Sequence, residues 1–235
     1  MRLDQWLVEH GKSSTRTKAQ QLIKEGHVSV DEKRVSKSSF QITNQAVVVD
    51  ELKVYVSRAA HKLKNFLPLL PFKVNGLKVV DIGASTGGFT QVLLEEGAVH
   101  VSAVDVGHGQ LHESLQSDSR VTSLEHMDIR HYRPSTSYDL VTSDVSFISL
   151  LHILESVDIL SSKWIILLFK PQFEVGRNVK RDKNGVVTDR RAIENAREKF
   201  EEACRTLEWK LIRIEPSSLK GKEGNIEYCY CFEKH

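Results

Sequence analysis

Four residues of this chain have the type and setting for proton chemistry. Asp144, in Ser143-Asp144-Val145-Ser146-Phe147, and Lys170, in Leu168-Phe169-Lys170-Pro171-Gln172-Phe173-Glu174, each follow an apolar run that reads as a strand. Lys62 stands before the glycine-rich region, and Glu227 lies in Gly224-Asn225-Ile226-Glu227-Tyr228. A lone lysine is ordinarily a solvated surface charge. Six apolar residues, Trp164 to Phe169, leading directly into Lys-Pro-Gln-Phe do not fit that description. The plain alternative for Glu227 is an acid on an edge strand. A lysine titrates near about 10.4 when unperturbed, and burial or a neighbouring cation such as Lys62 lowers that value by up to several units. Lys170 could then accept or steer the proton of a weakly acidic hydroxyl, with Asp144 and Glu227 holding the two amines.

A second cluster belongs to a cofactor. Val79 to Thr90 reads Val-Val-Asp-Ile-Gly-Ala-Ser-Thr-Gly-Gly-Phe-Thr: an apolar strand, a glycine-rich turn, then a helix start with free N–H groups. Its GxxxGG spacing is not the GxGxxG of dinucleotide sites. Gly83, Ala84, Ser85, Gly87, Gly88 and Phe89 form the turn, and Asp81 before it is placed to meet an ammonium group. Asp105 closes the next apolar strand, where acids hold ribose hydroxyls, and Asp128 follows the third, where it could accept from an adenine amino group. Asp144 joins them at a fourth strand end. His108 and His112 have i, i+4 spacing but lack an HExxH context, so no metal site is expected.

These residues require an α/β domain whose strands end on one crevice. Strands are expected at Lys78–Ile82, Val99–Asp105, Val121–Leu124, Leu140–Asp144 and Trp164–Phe169, and helices at Gly88–Glu96, Ile148–Leu160 and Asp189–Leu207. Lys210–Ile214 and Glu227–Phe232 lack an intervening helix and should pair as a terminal hairpin. That alternation is a Rossmann-like, doubly wound parallel sheet. The first 52 residues read as a small α+β module: helices from Leu3 and from Ser13–Thr15 to about Glu25, then short strands at His27–Val30, Arg34-Val35 and Ala46–Val49. Residues 53–64 are taken as linker and start of the catalytic domain, and 65–235 as its body.

The net charge of +2 says little, but residues 1–48 carry eight Lys/Arg against five acids. Lys12, Arg16, Lys18 and Lys24, with Arg34 and Lys33 in the following turn, form a stripe suited to phosphate contacts, and Arg16, Thr17 and Gln20 share a helix face. Arg58 at the junction and Arg177, Lys180, Arg181 and Lys183 in a glycine-containing loop extend the basic set, the loop reading either as a lid over RNA or as a plain disordered surface loop. Three cysteines without a CxxC pair read as reduced packing residues. With no signal-like segment and no bilayer-length apolar run, a cytoplasmic protein is expected.

Asp81 to Thr90 resembles the cofactor motif of FtsJ-type methyltransferases, with Phe89 where that family often has tryptophan. Nearly end to end the chain resembles the TlyA (hemolysin A) family, and Ser57-Arg58-Ala59-Ala60-His61-Lys62-Leu63 is similar to its SRGGxKL motif, with alanines for the glycines. The resemblance implies a Rossmann-like methyltransferase behind an S4-type RNA-binding domain, with S-adenosylmethionine as cofactor. It implies transfer to a ribose 2'-hydroxyl of ribosomal RNA, a cytidine of 23S and also of 16S in longer members, within ribosomal subunits. Lys62, Asp144, Lys170 and Glu227 match the family's catalytic K-D-K-E set one by one. A non-catalytic RNA-binding protein and a membrane-active hemolysin are the alternatives; the intact tetrad argues against the first and the lack of an apolar span against the second.

Overall fold

The computed structural model describes residues 1–24, 26–49 and 55–234. They fall into two compact units, Met1–Val54 and Tyr55–His235. The expected boundary at residues 52 and 53 lies outside the described residues.

In unit 1, α1 (Leu3–Glu9) and α2 (Arg16–Lys24) pack Leu3, Leu7, Ala19 and Ile23 against Val28, Val30 and Ile42. Thr15 caps α2 by accepting the Lys18 amide at 3.3 Å. Strands β1 (Val28–Val30) and β2 (Lys33–Arg34) join through Asp31 and Glu32, both left-handed at φ 48° and 66°, as a two-residue hairpin turn requires. Strand β3 (Val47–Val49) pairs with the other side of β1. So small a core leaves much to polar contacts. The central one is Asp4, wholly buried, whose carboxylate accepts from Arg2 at 3.0 Å, Arg16 at 2.9 Å and Gln20 at 2.8 Å.

Unit 2 is built on a seven-stranded sheet. Its strands are β4 (Lys78–Ile82), β5 (His100–Val104), β6 (Val121–Leu124), β7 (Tyr138–Ser143), β8 (Ser161–Phe169), β9 (Lys210–Pro216) and β10 (Tyr228–Glu233), in the order β6-β5-β4-β7-β8-β10-β9. The first five run parallel, and β10 joins β8 and β9 antiparallel. The chain leaves β4 toward β5 on one side and returns as β7 on the other, which opens a crevice at the carboxyl ends of those strands.

Helices cover both faces: α3 (Ala59–Phe66), α4 (Gly88–Glu95), α5 (Glu113–Gln116), α6 (Leu154–Leu160), α7 (Pro171–Glu174) and α8 (Arg190–Thr206). Helix α8 starts where Asp189 accepts the Ala192 amide at 3.0 Å, and it buries Phe200 against Phe169, Tyr230 and Phe232. The expected helix over Ile148–Leu160 is broken. Leu150–His152 form a 3-10 turn whose leading amides go to Glu174 at 2.9 Å and Ser149 at 3.2 Å, and only then does α6 begin. Helix α3 begins within residues 53–64, read as linker and domain start, and belongs to unit 2 with Ala60, Leu63 and Phe66 in the core. The three cysteines are free and buried, and burial pushes the Cys229 thiol up to about 12, in keeping with a packing role.

Arg2, Gln20 and Arg16 hold the Asp4 carboxyl well below the usual carboxylate range. A depressed native value gives stability that is present above the unfolded value of about 4 and lost as pH falls below it. Amides of α1 and α2 should therefore lose hydrogen-exchange protection, corrected for intrinsic rate, progressively as pH falls below about 4 and still further below 3, and Asp4→Asn should lower it already at pH 7.

Candidate active site

The crevice holds two adjoining pockets that share Gly83, Ser85, Asp144 and Ser146. One, of about 570 Å³, is lined by the ends of β4, β5 and β7 with Val106, Met127, Ile129, Phe147 and Ile153 as apolar walls. The other, of about 540 Å³, is lined by Ser57, Arg58, Lys62, Gly83 to Thr86, Gly88, Phe89, Asp144, Lys170, Lys220 and Lys222.

The glycine turn forms the floor between them. Gly83 has φ 77°, and a Cβ there would stand 3.1 Å from the Val145 backbone. Gly88 opens α4 so close to α3 that a Cβ would lie 2.1 Å from Ser57 Oγ and 3.0 Å from the Ala60 nitrogen. Asp105 organises one wall, accepting the Ser85 amide at 2.8 Å and the Gly107 amide at 2.7 Å.

Two ion pairs define the second pocket. Lys170 Nζ lies 2.6 Å from Asp144 Oδ1 and donates to Ser146 Oγ at 2.8 Å and the Asp144 carbonyl at 3.2 Å. Lys62 Nζ donates to Glu227 Oε2 at 2.6 Å, while the other Glu227 oxygen accepts from Gln172 at 3.1 Å. Lys62, Lys170 and Glu227 are only 8%, 6% and 2% exposed. Each position has a local cause. Asp144 and Lys170 extend parallel neighbours β7 and β8, Glu227 precedes β10 on the far side of β8, and Lys62 comes down from α3. All four expected residues converge. Buried charges persist only when paired, and here each ammonium has one carboxylate.

Several expected residues occupy other positions. Asp81 does not reach either pocket: it is fully buried beneath the turn, accepting from Thr90 at 2.7 Å and Thr142 at 3.0 Å, and burial lifts its carboxyl to about 6. Its contacts tie the turn to β7 and to Thr90. Phe89 is 3% exposed and mostly core. Asp128 lines the first pocket, but Arg130 grips it at 3.0 Å and draws its carboxyl down to about 2. Arg181 bonds the carbonyls of Gln172 at 3.1 Å and Gly176 at 3.0 Å, so it shapes the 176–188 loop, whose Arg177 and Lys180 are exposed. In unit 1, Lys12, Lys18, Lys24 and Arg34 are exposed, while Arg16 is oriented by Asp4. His112 caps α5 at the Ser114 amide, and His108 stacks on His126. Among the described residues no group of three or more His, Cys, Asp or Glu could hold a metal.

The sequence reading passed over four participants. Ser146 and Gln172 bond directly to the tetrad, and Asn225, buried before Glu227, fastens the Val187 amide at 3.0 Å. Phe147 is 91% exposed at φ 66°, a flat ring at the pocket mouth. Its exposure is a fact of backbone handedness that hydrophobicity cannot announce.

A parallel sheet with a glycine turn at its switch point and a buried Lys-Asp-Lys-Glu set is the architecture of a Rossmann-like methyltransferase. The family model described as FtsJ-like methyltransferase matches residues 55–234, and that of the S4 domain matches residues 1–48. The chain is 44% identical to the "23S rRNA (cytidine-2'-O)-methyltransferase TlyA" of Campylobacter jejuni over the full length of both. It is 39% identical to the "16S/23S rRNA (cytidine-2'-O)-methyltransferase TlyA" of Mycobacterium tuberculosis, over 97% of this chain and 87% of that one. A solved, hemolysin-named chain from Streptococcus thermophilus superposes with a TM-score of 0.72 at 33% identity, covering all of this chain and 88% of that one. The chain thus belongs to the TlyA family of FtsJ-like methyltransferases. Among the described residues no helix is long and apolar enough to cross a membrane.

Glu227→Ala should cost about 3–5 kcal/mol, because it strands a buried ammonium. Lys62→Met combined with Glu227→Leu should recover most of that loss in denaturant unfolding while leaving the protein inactive.

Proposed function

We propose that this protein transfers the methyl group of S-adenosylmethionine to the 2'-hydroxyl of a cytidine in 23S ribosomal RNA. The observation that carries the reading is the pair of buried lysine–carboxylate contacts in a pocket continuous with the glycine-turn cleft. The 23S choice follows the Campylobacter relative, which this chain matches over its whole length, whereas the dual-specificity relative is longer than the match.

The first pocket fits the cofactor. Gly83 and Ser85 bring the turn to the pocket wall, and the Asp105 carboxylate has lone pairs for ribose hydroxyls. Met127, Ile129 and Phe147 make an apolar slot for adenine, with Asp128 at its rim. Asp81 supports that site from beneath. Bound there, S-adenosylmethionine supplies an electrophilic sulfonium methyl group.

The chain's own residues handle the acceptor. Three protein oxygens surround Lys170 Nζ, and the longest contact, to the Asp144 carbonyl at 3.2 Å, is the one a sugar hydroxyl can replace at least cost. Once Lys170 has released one of its protons to solvent, its free lone pair takes the 2'-hydroxyl proton as the oxygen is methylated, which restores the ammonium, and Asp144 and Ser146 fix its position. Lys62, anchored by Glu227, adds positive charge that favours the developing alkoxide. Phe147 offers a face on which an unstacked base can lie. Lys12, Arg16, Lys18, Lys24 and Arg34 of the S4 unit, with Arg177 and Lys180, supply phosphate contacts.

Unmodified ribosomal subunits incubated with the purified protein and S-adenosylmethionine should gain one methyl on a cytidine ribose of 23S RNA, read by mass spectrometry; absence of methylation would sink the reading. Lys170→Ala should reduce incorporation by at least 10²-fold, the lower end of what general acid–base groups contribute, and leave cofactor affinity by calorimetry within about two-fold.

A further inference from the structure

The loop joining β9 to β10 carries Lys220-Gly221-Lys222, and both lysines line the pocket that holds Lys62 and Lys170. They are exposed, while Gly221 between them is buried. A Cβ on Gly221 would lie 2.6 Å from Glu227 Oε1, so the loop backbone lies directly over the catalytic carboxylate, a closeness only glycine allows. The loop is fixed on every side. The Ser217 amide donates to the Glu227 carbonyl at 2.8 Å and the Gly221 amide to the Asn225 carbonyl at 2.9 Å. From α3, Asn65 donates to Ser218 Oγ at 3.0 Å, and Arg58 to the Lys220 carbonyl at 3.2 Å. Arg58 is thereby drawn to the same rim.

Charge bookkeeping separates rim from interior. Inside, each ammonium is cancelled by a carboxylate at 2.6 Å. Arg58, Lys220 and Lys222 have no carboxylate partner among the described residues. Three uncompensated cations on a fixed frame around the mouth of a neutral pocket are suited to a polyanion, and a ribose reaches such a pocket only with its two flanking phosphates.

We infer that Arg58, Lys220 and Lys222 form a phosphate-binding rim that seats the RNA backbone on either side of the target nucleotide. This rests on the methyltransferase reading above and adds residues that enter the reaction through substrate positioning alone. The loop acts as a fixed shelf: its lysines hold the strand while Gly221 keeps it against Glu227.

The test compares full-length protein with the Lys220→Gln/Lys222→Gln variant, using 50S subunits that lack the methyl group. Losing two phosphate contacts should make the slope of log affinity against log salt shallower by about 1.4–1.8. KM for the subunits should rise ten-fold or more, with kcat within two-fold and cofactor affinity unchanged, and Lys220→Arg/Lys222→Arg should restore the wild-type values. A wild-type salt slope and KM in the glutamine variant would overturn the rim. So would a fall in kcat at constant KM, which would place the lysines in the chemistry. Because the salt slope needs no turnover, a wild-type protein that binds subunits but transfers no methyl would refute the methyltransferase reading while the slope still decides the rim.

Discussion

Burying two lysines beside two carboxylates is the constraint on which the catalytic unit depends. Each desolvated charge costs several kcal/mol, and a matching charge in contact offsets that cost only if the geometry is held. Asp144 and Lys170 come from the tips of adjacent parallel strands, whose register the β7–β8 ladder sets. Glu227 reaches them because β10 inserts antiparallel beside β8, and Lys62 because α3 packs against α4 and β10. A shift in any of these elements would leave a charge unpaired, so the tetrad and the sheet stabilise each other.

That dependence explains which parts of the site were readable from residues. Strands β4 and β6 were legible to the residue because β-branched segments stop there at a glycine or an acid, Gly83 and Glu125, and Asp144 and Lys170 were legible because they follow apolar runs. The burial of Asp81 has a physical cause. A carboxylate before a glycine turn can serve ligand or scaffold, and threonines nine residues on, at 90, and on β7, at 142, tie it into the scaffold. Thr142 is 61 residues away in sequence, so only the sheet order brings it near. The break before α6 has a similar origin, since Glu174 reaches back 24 residues to take the Leu150 amide.

The basic stripe of unit 1 shows the limit of counting charges. Arg16 and Gln20 lie on one helix face as spacing requires, but Asp4, counted by sequence as an opposing charge, is the buried anion that holds both in place. A guanidinium with one edge fixed by carboxylate loses less freedom when its other donors meet phosphate. The acid therefore contributes to the basic surface by ordering it.

The same division of labour runs through the catalytic unit. The enclosed cations, Lys62 and Lys170, are each matched by a carboxylate, because an isolated ammonium in low dielectric would not persist. The cations at the rim, Arg58, Lys220 and Lys222, have no carboxylate partner among the described residues, the arrangement expected of a surface that meets a polyanion. Gly221 connects the two layers: its missing side chain lets the rim lie against Glu227. An alanine there would meet Glu227 Oε1, the oxygen that Gln172 holds, so the loop or the carboxylate would have to move.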